Sequence, residues 1–487
     1  MARLKPTWLN PDRLAVAPTL DDVVGASRSS VVDGDVHLGA GTIVDHVAHL
    51  AGALADRGVR RGDTVAWQAS NRWEVIVLFR ACWRLGAVAA PLHHLAGATE
   101  VAALLDRLDP AHVVEPDKVA AMAIHGRRID RPVAVADDLA LVLHTSGSSS
   151  EPKGVLHTHG TLASKATLMV AVHDLGPTDT ILMPAPLAHI SGLQNAVTVA
   201  GAAGMKVVLM RRWDPELALD LIERHGVTFM MGPPTFFVSL RHASGFSAER
   251  VASLRLISCG GSGVTPAFVS DATEAFSAVV KRTYGSTEAP TVTTAHAGDD
   301  DDRVLTTDGH PTGAVRMRLG PDDELWVRGP ELFVGYTDPA RTAETIVVVE
   351  GEGADDGEWF RTGDVGHIDA DGWLTIVGRL KDIIIRGGEN ISAAEVEGVL
   401  EAHPAVRHAV AVGEPDTRLG EKVCAFVVCA PEAPFGLAEC RAWFALRGAS
   451  RFKTPERVVV LEALPLLAAG KPDRANLRAR ARELSEP

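Results

Sequence analysis

Positive charge, lysine, tyrosine and cysteine are all scarce in this 487-residue chain, and each shortage excludes something. With 48 Lys and Arg against 62 Asp and Glu, the formal net charge is -14, which argues against a general binder of nucleic acid or of membrane surfaces. Any anionic ligand has to be met by local donors. Cys82, Cys259, Cys424, Cys429 and Cys440 are an odd, scattered set without a C-x-x-C pair, so they support neither a disulfide framework nor a zinc site and read as reduced core thiols. The longest apolar stretch, Val197 to Met210, is too short to cross a bilayer and is broken by Lys206. The N-terminal Met-Ala-Arg-Leu-Lys-Pro-Thr-Trp lacks the apolar core of a signal peptide, so a cytoplasmic protein without an integral membrane segment is expected. There is no internal repeat and no low-complexity tract.

Apolar residues make up 46% of the chain, enough for substantial cores, and two or more domains are expected because single cores stop growing near ~250 to 300 residues. The first third alternates helix and strand signals. Val47, Leu50, Ala51 and Leu54 stand at helical spacing before Gly58, and Val65-Ala66-Trp67 follows as a strand. The unit then repeats, with a helix from Glu74 to Leu85 stopped by Gly86 and a buried strand from Ala87 to Pro91. From about Leu305 the pattern changes to short strands with close turns, such as Gly313 to Leu319, Asp323 to Arg328 and Gly372 to Val377, which suggests an appended barrel or sheet. After Arg379, Ser392-Ala-Ala-Glu395 reads as a capping box opening a helix from Val396 to Glu401. Strands near 409–412, 422–428 and 458–461 and a helix over 437–446 complete an α+β pattern.

Five segments carry chemistry. Thr145-Ser146-Gly147-Ser148-Ser149-Ser150 follows the apolar run Leu139 to Leu143 and precedes Glu151-Pro152-Lys153, so hydroxyls and unhindered amides could cradle phosphate there. A plain solvated connection is the alternative. It is not a Walker A loop, because Lys153 is followed by Gly154 and not by Ser or Thr. Tyr284-Gly285-Ser286-Thr287-Glu288 packs an aromatic, two hydroxyls and a carboxylate into five residues. Read as a nucleotide clamp, Tyr284 stacks on a base, Thr287 donates to a phosphate and Glu288 holds Mg²⁺, whereas a capped turn is the bland reading. Ser258-Cys259-Gly260-Gly261-Ser262-Gly263 offers bare backbone for the close approach of a flat ring, or simply a tight turn. Pro186-Leu-Ala-His189-Ile190-Ser-Gly192 contains a lone His, which is more often structural. Asp364 in Trp359-Phe-Arg-Thr-Gly-Asp364 suits two vicinal hydroxyls, with Arg379 in Gly378-Arg-Leu-Lys381-Asp382 in support; a turn Asp and a surface ion pair are the alternatives.

In order and spacing, from about residue 40 to 475, these segments resemble the adenylate-forming superfamily: acyl-CoA synthetases, luciferases and the adenylation domains of peptide synthetases. The resemblance implies an α/β fold, with a large N-terminal domain of two α/β subdomains plus a β-barrel-like subdomain over 1–380, a hinge at Lys381, and a small mobile α+β domain over 382–487. It implies ATP, Mg²⁺ and CoA as cofactor and co-substrates and a small-molecule carboxylic acid as substrate, with no nucleic-acid partner, and it admits a homodimer. A carboxylate would attack the α-phosphate to give acyl-AMP and pyrophosphate, and a thiol would then displace AMP.

By resemblance, His189 lies near the substrate carboxylate with Ile190, Gly260 and Gly285 around the acyl group, while Gly261 and Ser262 flank the adenine. Lys471 in Gly470-Lys471-Pro-Asp-Arg474, one of ten lysines, is then the lysine that stabilises charge on the reacting groups. Gly387 and Gly388 of the Gly-Gly-Glu-Asn stretch leave room for a pantetheine arm, the version most like CoA ligases. One departure is Ser150, where most members have glycine; if that position needs φ > 0, Ser150 carries strain. The two tyrosines and the apolar Ile190, Met230 and Met231 suggest a roomy pocket for a bulky alicyclic, terpenoid or fatty acid, with an aryl acid as alternative. An enzyme that loads a carrier protein, and a silent nucleotide-binding relative, are the competing readings. A P-loop NTPase is disfavoured by the missing Walker geometry. The Asp299 to Asp302 run beside His296 reads as a solvated loop.

Overall fold

The computed structural model describes residues 3–8, 17–25, 28–145, 152–261, 263–299, 302–350, 356–387, 389–430, 434–466 and 472–485. Two compact units are formed, one from Met1–Met317 with Val327–Phe360, the other from Arg318–Trp326 with Arg361–Pro487.

The first unit is built on two sheets. In the smaller, the strands Thr64–Ala69, Val88–His93 and Leu139–Thr145 run parallel with His112–Val113, and Lys153–Thr158 returns antiparallel against Leu139–Thr145. The larger has nine strands among the described residues, of which Ser30–Asp33, Lys206–Leu209, Thr180–Met183, Phe229–Gly232, Leu256–Gly260 and Val279–Tyr284 are mutually parallel, with short antiparallel strands at both edges. These parallel strands are apolar on both faces because both are covered. Ile181 and Phe229 point into the core that also takes Val47, Leu50, Phe79 and Trp83, while Leu182, Met230 and Ile257 point into a second core with Phe237 and Phe276.

The helical spacings match the helices. Ala40–Asp56 buries Val47, Leu50, Ala51 and Leu54, and Trp73–Leu85, buried from Glu74 onward, ends at Gly86 with φ 65, a left-handed cap that glycine adopts without a Cβ penalty.

Where short strands begin after 305, Ile346–Val349 pairs antiparallel with the start of the long strand Gly357–Ile368 in the first unit. In the second unit the rest of that strand pairs with Leu374–Arg379 across a bulge at Val365/Gly366. The second unit continues as the expected α+β pattern. Val406–Asp416, Gly420–Cys429, Arg457–Leu461 and the hairpin Ile383–Arg386/Glu389–Ser392 form one sheet with the helices Ala393–Glu401, Leu437–Leu446 and Arg474–Ser485. Ser392 caps the first of these helices by accepting from the Glu395 amide at 3.3 Å.

Candidate functional site

Open parallel sheets bind ligands beyond the carboxyl ends of their strands, where loops diverge. Several of the described candidate residues of the first unit are placed there. Thr145 closes the strand Leu139–Thr145, Gly260 closes Leu256–Gly260 with Gly261 next in the chain, and Tyr284 closes Val279–Tyr284, followed by Gly285, Thr287 and Glu288. Gly260 and Thr283 are register partners on adjacent strands. Glycine is needed at 260 and 285 for a reason other than the approach of a ring: a Cβ at 260 would stand 2.3 Å from the Thr283 carbonyl oxygen, and one at 285 would stand 2.4 Å from the Thr291 nitrogen. Gly261, by contrast, has φ 82 and open space where a Cβ would be. Of the three, it alone has open space at the Cβ position.

The loop from Tyr284 to Thr291 is held from below by groups that no motif announced. His157 is wholly buried, and its Nε2 lies 2.7 Å from the Thr287 carbonyl oxygen, so this nitrogen carries the proton and donates. Burial pushes the ring down to about 4, partly opposed by that carbonyl, so His157 is a neutral donor at physiological pH. Lys165, 1% exposed, donates to the Thr291 carbonyl at 3.1 Å and to the Thr312 hydroxyl at 3.0 Å. Gln194 donates to the Thr291 hydroxyl at 3.2 Å. Thr291 itself sits at φ 47, a strained conformation for a β-branched residue, which persists because these bonds over-determine it. The half-buried Glu288 accepts from the Tyr336 hydroxyl at 2.7 Å, and its backbone carbonyl accepts from the Phe333 amide at 2.8 Å.

His189 is half-buried at the N-cap of the short helix Ile190–Leu193. Its Nδ1 accepts from the Ser191 amide at 3.2 Å and faces the Ser191 hydroxyl at 2.8 Å, which leaves the proton on Nε2. Ile190 is buried. The loop that carries them is fixed by Asn71, which accepts from the Leu187 amide at 2.8 Å and approaches the carbonyls of Ala185 and Met210 with its Nδ2 at 2.8 and 3.0 Å. Gly192 permits the fold-back, since a Cβ there would meet the Pro186 carbonyl oxygen at 2.1 Å. The helix runs on through a π-helical stretch, Gln194–Val199, a form that occurs frequently at functional sites. Lys153 pairs with Thr145 in register and sets its ammonium 5.2 Å from the centre of the Tyr336 ring.

In the second unit Asp364 and Arg379 face one another across paired strands, with Arg379 Nε 2.8 Å from Asp364 Oδ1. Asp364 is 5% exposed. Its turn is organised by Glu324, 3% exposed, which accepts from Trp326 Nε1 at 2.9 Å, Arg361 Nε at 2.8 Å and the Gly363 amide at 3.2 Å. Gly363 takes φ 71 at the turn. Lys381 is exposed, and Arg478 ties its carbonyl at 2.9 Å and the Asp382 carboxylate at 2.5 Å. Arg474 joins the same network through Glu397 at 2.7 Å. Gly387, φ 59, closes its turn by donating to the Leu419 carbonyl at 2.7 Å. Ser146, Gly147, Ser148, Ser149, Ser150, Ser262, Gly388 and Lys471 lie outside the described residues.

A magnesium nucleotide suits the donor set of the first unit. Glu288 has one carboxylate oxygen held and a second able to bind a hard cation, Lys153 supplies positive charge, and Gly261 supplies open backbone. In the second unit, Asp364 paired with Arg379 offers a fixed acceptor for hydroxyls.

Comparison with known proteins matches residues 24–337 to the AMP-binding enzyme family and residues 395–471 to the AMP-binding enzyme C-terminal domain. The medium-chain fatty-acid CoA ligase of Escherichia coli K12 is 31% identical over 486 residues, covering 89% of this chain and 84% of that protein. A 3-[(3aS,4S,7aS)-7a-methyl-1,5-dioxo-octahydro-1H-inden-4-yl]propanoyl:CoA ligase of Mycobacterium tuberculosis is 33% identical over 474 residues, covering 89% and 92%. Among solved structures, ATP-bound MatB from Rhodopseudomonas palustris superposes with a TM-score of 0.87 at 27% identity, over 96% of this chain and 98% of that one. On this footing the chain belongs to the AMP-binding enzymes, the adenylate-forming superfamily, in its CoA-ligase branch.

Proposed function

We propose that the chain is an ATP-dependent acyl-CoA ligase that activates a bulky hydrophobic carboxylic acid, alicyclic, terpenoid or fatty, as acyl-AMP and transfers the acyl group to CoA. The observation that carries the reading is the seating of Tyr284 to Glu288 at the carboxyl end of a parallel strand, beside Gly260 and Gly261. Membership of the family across both matched regions supports it, as do relatives named as CoA ligases for a medium-chain fatty acid and for a bicyclic propanoate.

In this reading the protein supplies alignment and charge, and no protein nucleophile is needed. Thr145, Ser146, Gly147, Ser148, Ser149, Lys153 and Thr287 bind phosphates; Tyr284, Gly261 and Ser262 hold the base; Asp364 with Arg379 holds the ribose. Glu288 binds Mg²⁺, which when bound neutralises the triphosphate charge. A substrate carboxylate oxygen attacks the α-phosphorus and pyrophosphate leaves. The thiol sulfur of CoA then attacks the acyl carbon, and AMP leaves. His189, with its Nε2 proton, orients the carboxylate next to Ile190, Gly260 and Gly285, and Lys471 stabilises charge that develops on the reacting oxygens. Lys381 is the hinge for a C-terminal domain over 382–487, and Gly387 and Gly388 line the pantetheine path. Cytoplasmic residence, where ATP and CoA are both supplied, belongs to the same reading; among the described residues no helix is long and apolar enough to cross a membrane. A homodimer is compatible with it.

The test is pyrophosphate release from Mg-ATP across fatty, alicyclic, aryl and small polar acids, with free CoA present or absent. Thioester formed with free CoA from the bulky acids supports the proposal. Release without any CoA thioester favours a carrier-protein acceptor, and reaction of small polar acids alone overturns the acid class.

A further inference from the structure

Both tyrosines of the chain lie at the candidate nucleotide site, and Tyr336 has no place in the roles assigned above. It is 2% exposed, and among the described residues its hydroxyl bonds a single partner, Glu288 Oε1, at 2.7 Å. The same ring carries the Lys153 ammonium 5.2 Å from its centre. An ionised carboxylate can only accept, so the contact needs a donor, and a phenol is a donor whose other end is an aromatic face that attracts a cation.

The backbone around Tyr336 is fixed on both sides. The Leu156 amide donates to Gly335 at 2.9 Å, the Thr337 amide donates to Gly154 at 2.7 Å, and the Tyr336 amide donates to the Thr342 hydroxyl at 2.9 Å. Phe333, which donates its amide to the Glu288 carbonyl, also packs its ring 5.1 Å from that of Tyr336. Tyr336 is thereby locked to the strand Lys153–Thr158 and to Glu288 at once, two segments 130 residues apart in sequence.

We propose that Tyr336 is a positioning residue for the magnesium nucleotide: its hydroxyl holds one oxygen of Glu288 and presents the other to the metal, while its ring seats Lys153 for a phosphate. This rests on the reading of Glu288 as the metal-binding carboxylate. The two halves separate by substitution. Tyr336→Phe keeps the ring for Lys153 and removes the hydroxyl from Glu288; Tyr336→Leu removes both.

The experiment is electron paramagnetic resonance titration of Mn²⁺ into the full-length protein with a non-hydrolysable α,β-methylene ATP analogue. Glu288→Gln and Tyr336→Phe each weaken Mn²⁺ binding, the latter by about tenfold, as expected for loss of a charge-assisted hydrogen bond. The double variant binds no more weakly than Glu288→Gln alone, because Tyr336 acts through Glu288. Analogue affinity measured without metal is unchanged in Tyr336→Phe and falls in Tyr336→Leu. A Tyr336→Phe affinity within twofold of wild type, or effects of the two substitutions that simply add, overturns the proposal. Wild-type protein labelled with 3-fluorotyrosine needs no variant beyond Tyr284→Phe for assignment. Its two ¹⁹F resonances include one from Tyr336 that shifts when metal joins the nucleotide, and a resonance indifferent to metal overturns the proposal. Wild type that binds the metal nucleotide normally with an indifferent Tyr336 sinks this inference alone. Wild type that binds no metal nucleotide sinks the reading beneath it.

Discussion

Replacing Lys165 by Met separates stability from function at the loop beneath the candidate nucleotide site. The ammonium is 1% exposed, and burial holds it down to about 8 against an ordinary 10.5, with only Glu331 opposing the shift. Keeping that charge inside costs the folded chain about 3 kcal/mol at neutral pH. Its two hydrogen bonds, to Thr291 and Thr312, return about 1 kcal/mol each, and Met fills nearly the same volume. Lys165→Met therefore leaves stability level or raises it by about 1 kcal/mol. Thr291 keeps the Thr312 hydroxyl at 2.7 Å but loses the ammonium that helps to hold its strained backbone. A relaxation worth about 1 kcal/mol raises the KM for ATP about fivefold. The pH dependence supplies a second reading. Between pH 8 and 10.5 the unfolded wild type binds more protons than the folded one, so wild-type stability rises with pH across that window. The Met variant lacks this component. Urea unfolding at pH 7 and 9.5, with ATP kinetics at pH 7.5, measures all three quantities. A loss of more than about 3 kcal/mol, with an unchanged KM and an unchanged pH slope, refutes the reasoning.

Other expectations follow from the same contacts. Glu324→Gln breaks a buried carboxylate with three donors and costs about 3 kcal/mol in urea unfolding; the KM for ATP rises as the Asp364 turn loosens. Gly260→Ala puts a methyl against the Thr283 carbonyl and costs about 1–3 kcal/mol, a penalty that shows in the melting temperature even without any ligand. Below pH 6.5 the unfolded chain takes up protons that His157 refuses until about pH 4, so stability is full above 6.5 and falls as pH drops toward 4, by about 2 kcal/mol at pH 5 from this residue. His157→Gln flattens that part of the profile.

Much of the fold was legible because its elements carry strong periodic signals. The helix over 437–446 has the bounds that its sequence suggests, and the helices ending at Asp56 and Leu85 bury the residues that their spacing picked out. The candidate site was legible as short runs of chemically apt residues on loops after buried strands. What escaped was its support. His157 and Lys165 sit within a strand and a helix, Glu324 opens a strand, and Asn71 and Tyr336 lie on connections, while most of their partners lie dozens to more than a hundred residues away. No local pattern encodes such a pairing, and a lone buried polar side chain looks the same in sequence whether it stabilises a core or a loop. The reason for glycine at 260 and 285 was hidden similarly. Their missing Cβ atoms face neighbouring backbone within the fold, a close approach that only the strand register and loop path reveal. The ion network of Asp382, Glu397, Arg474 and Arg478 beside Lys381 was invisible for the same reason, since its members come from three separate segments.

The central claim is AMP-forming ligation to CoA, and product analysis tests it most directly. Purified protein is incubated with Mg-ATP, CoA and an acid from the bulky hydrophobic group, and every nucleotide and thioester is quantified by chromatography and mass spectrometry. AMP, pyrophosphate and acyl-CoA in equal amounts, each absent when the acid is omitted, is the expected result. ADP with inorganic phosphate, or AMP formed without any CoA thioester, would contradict the account.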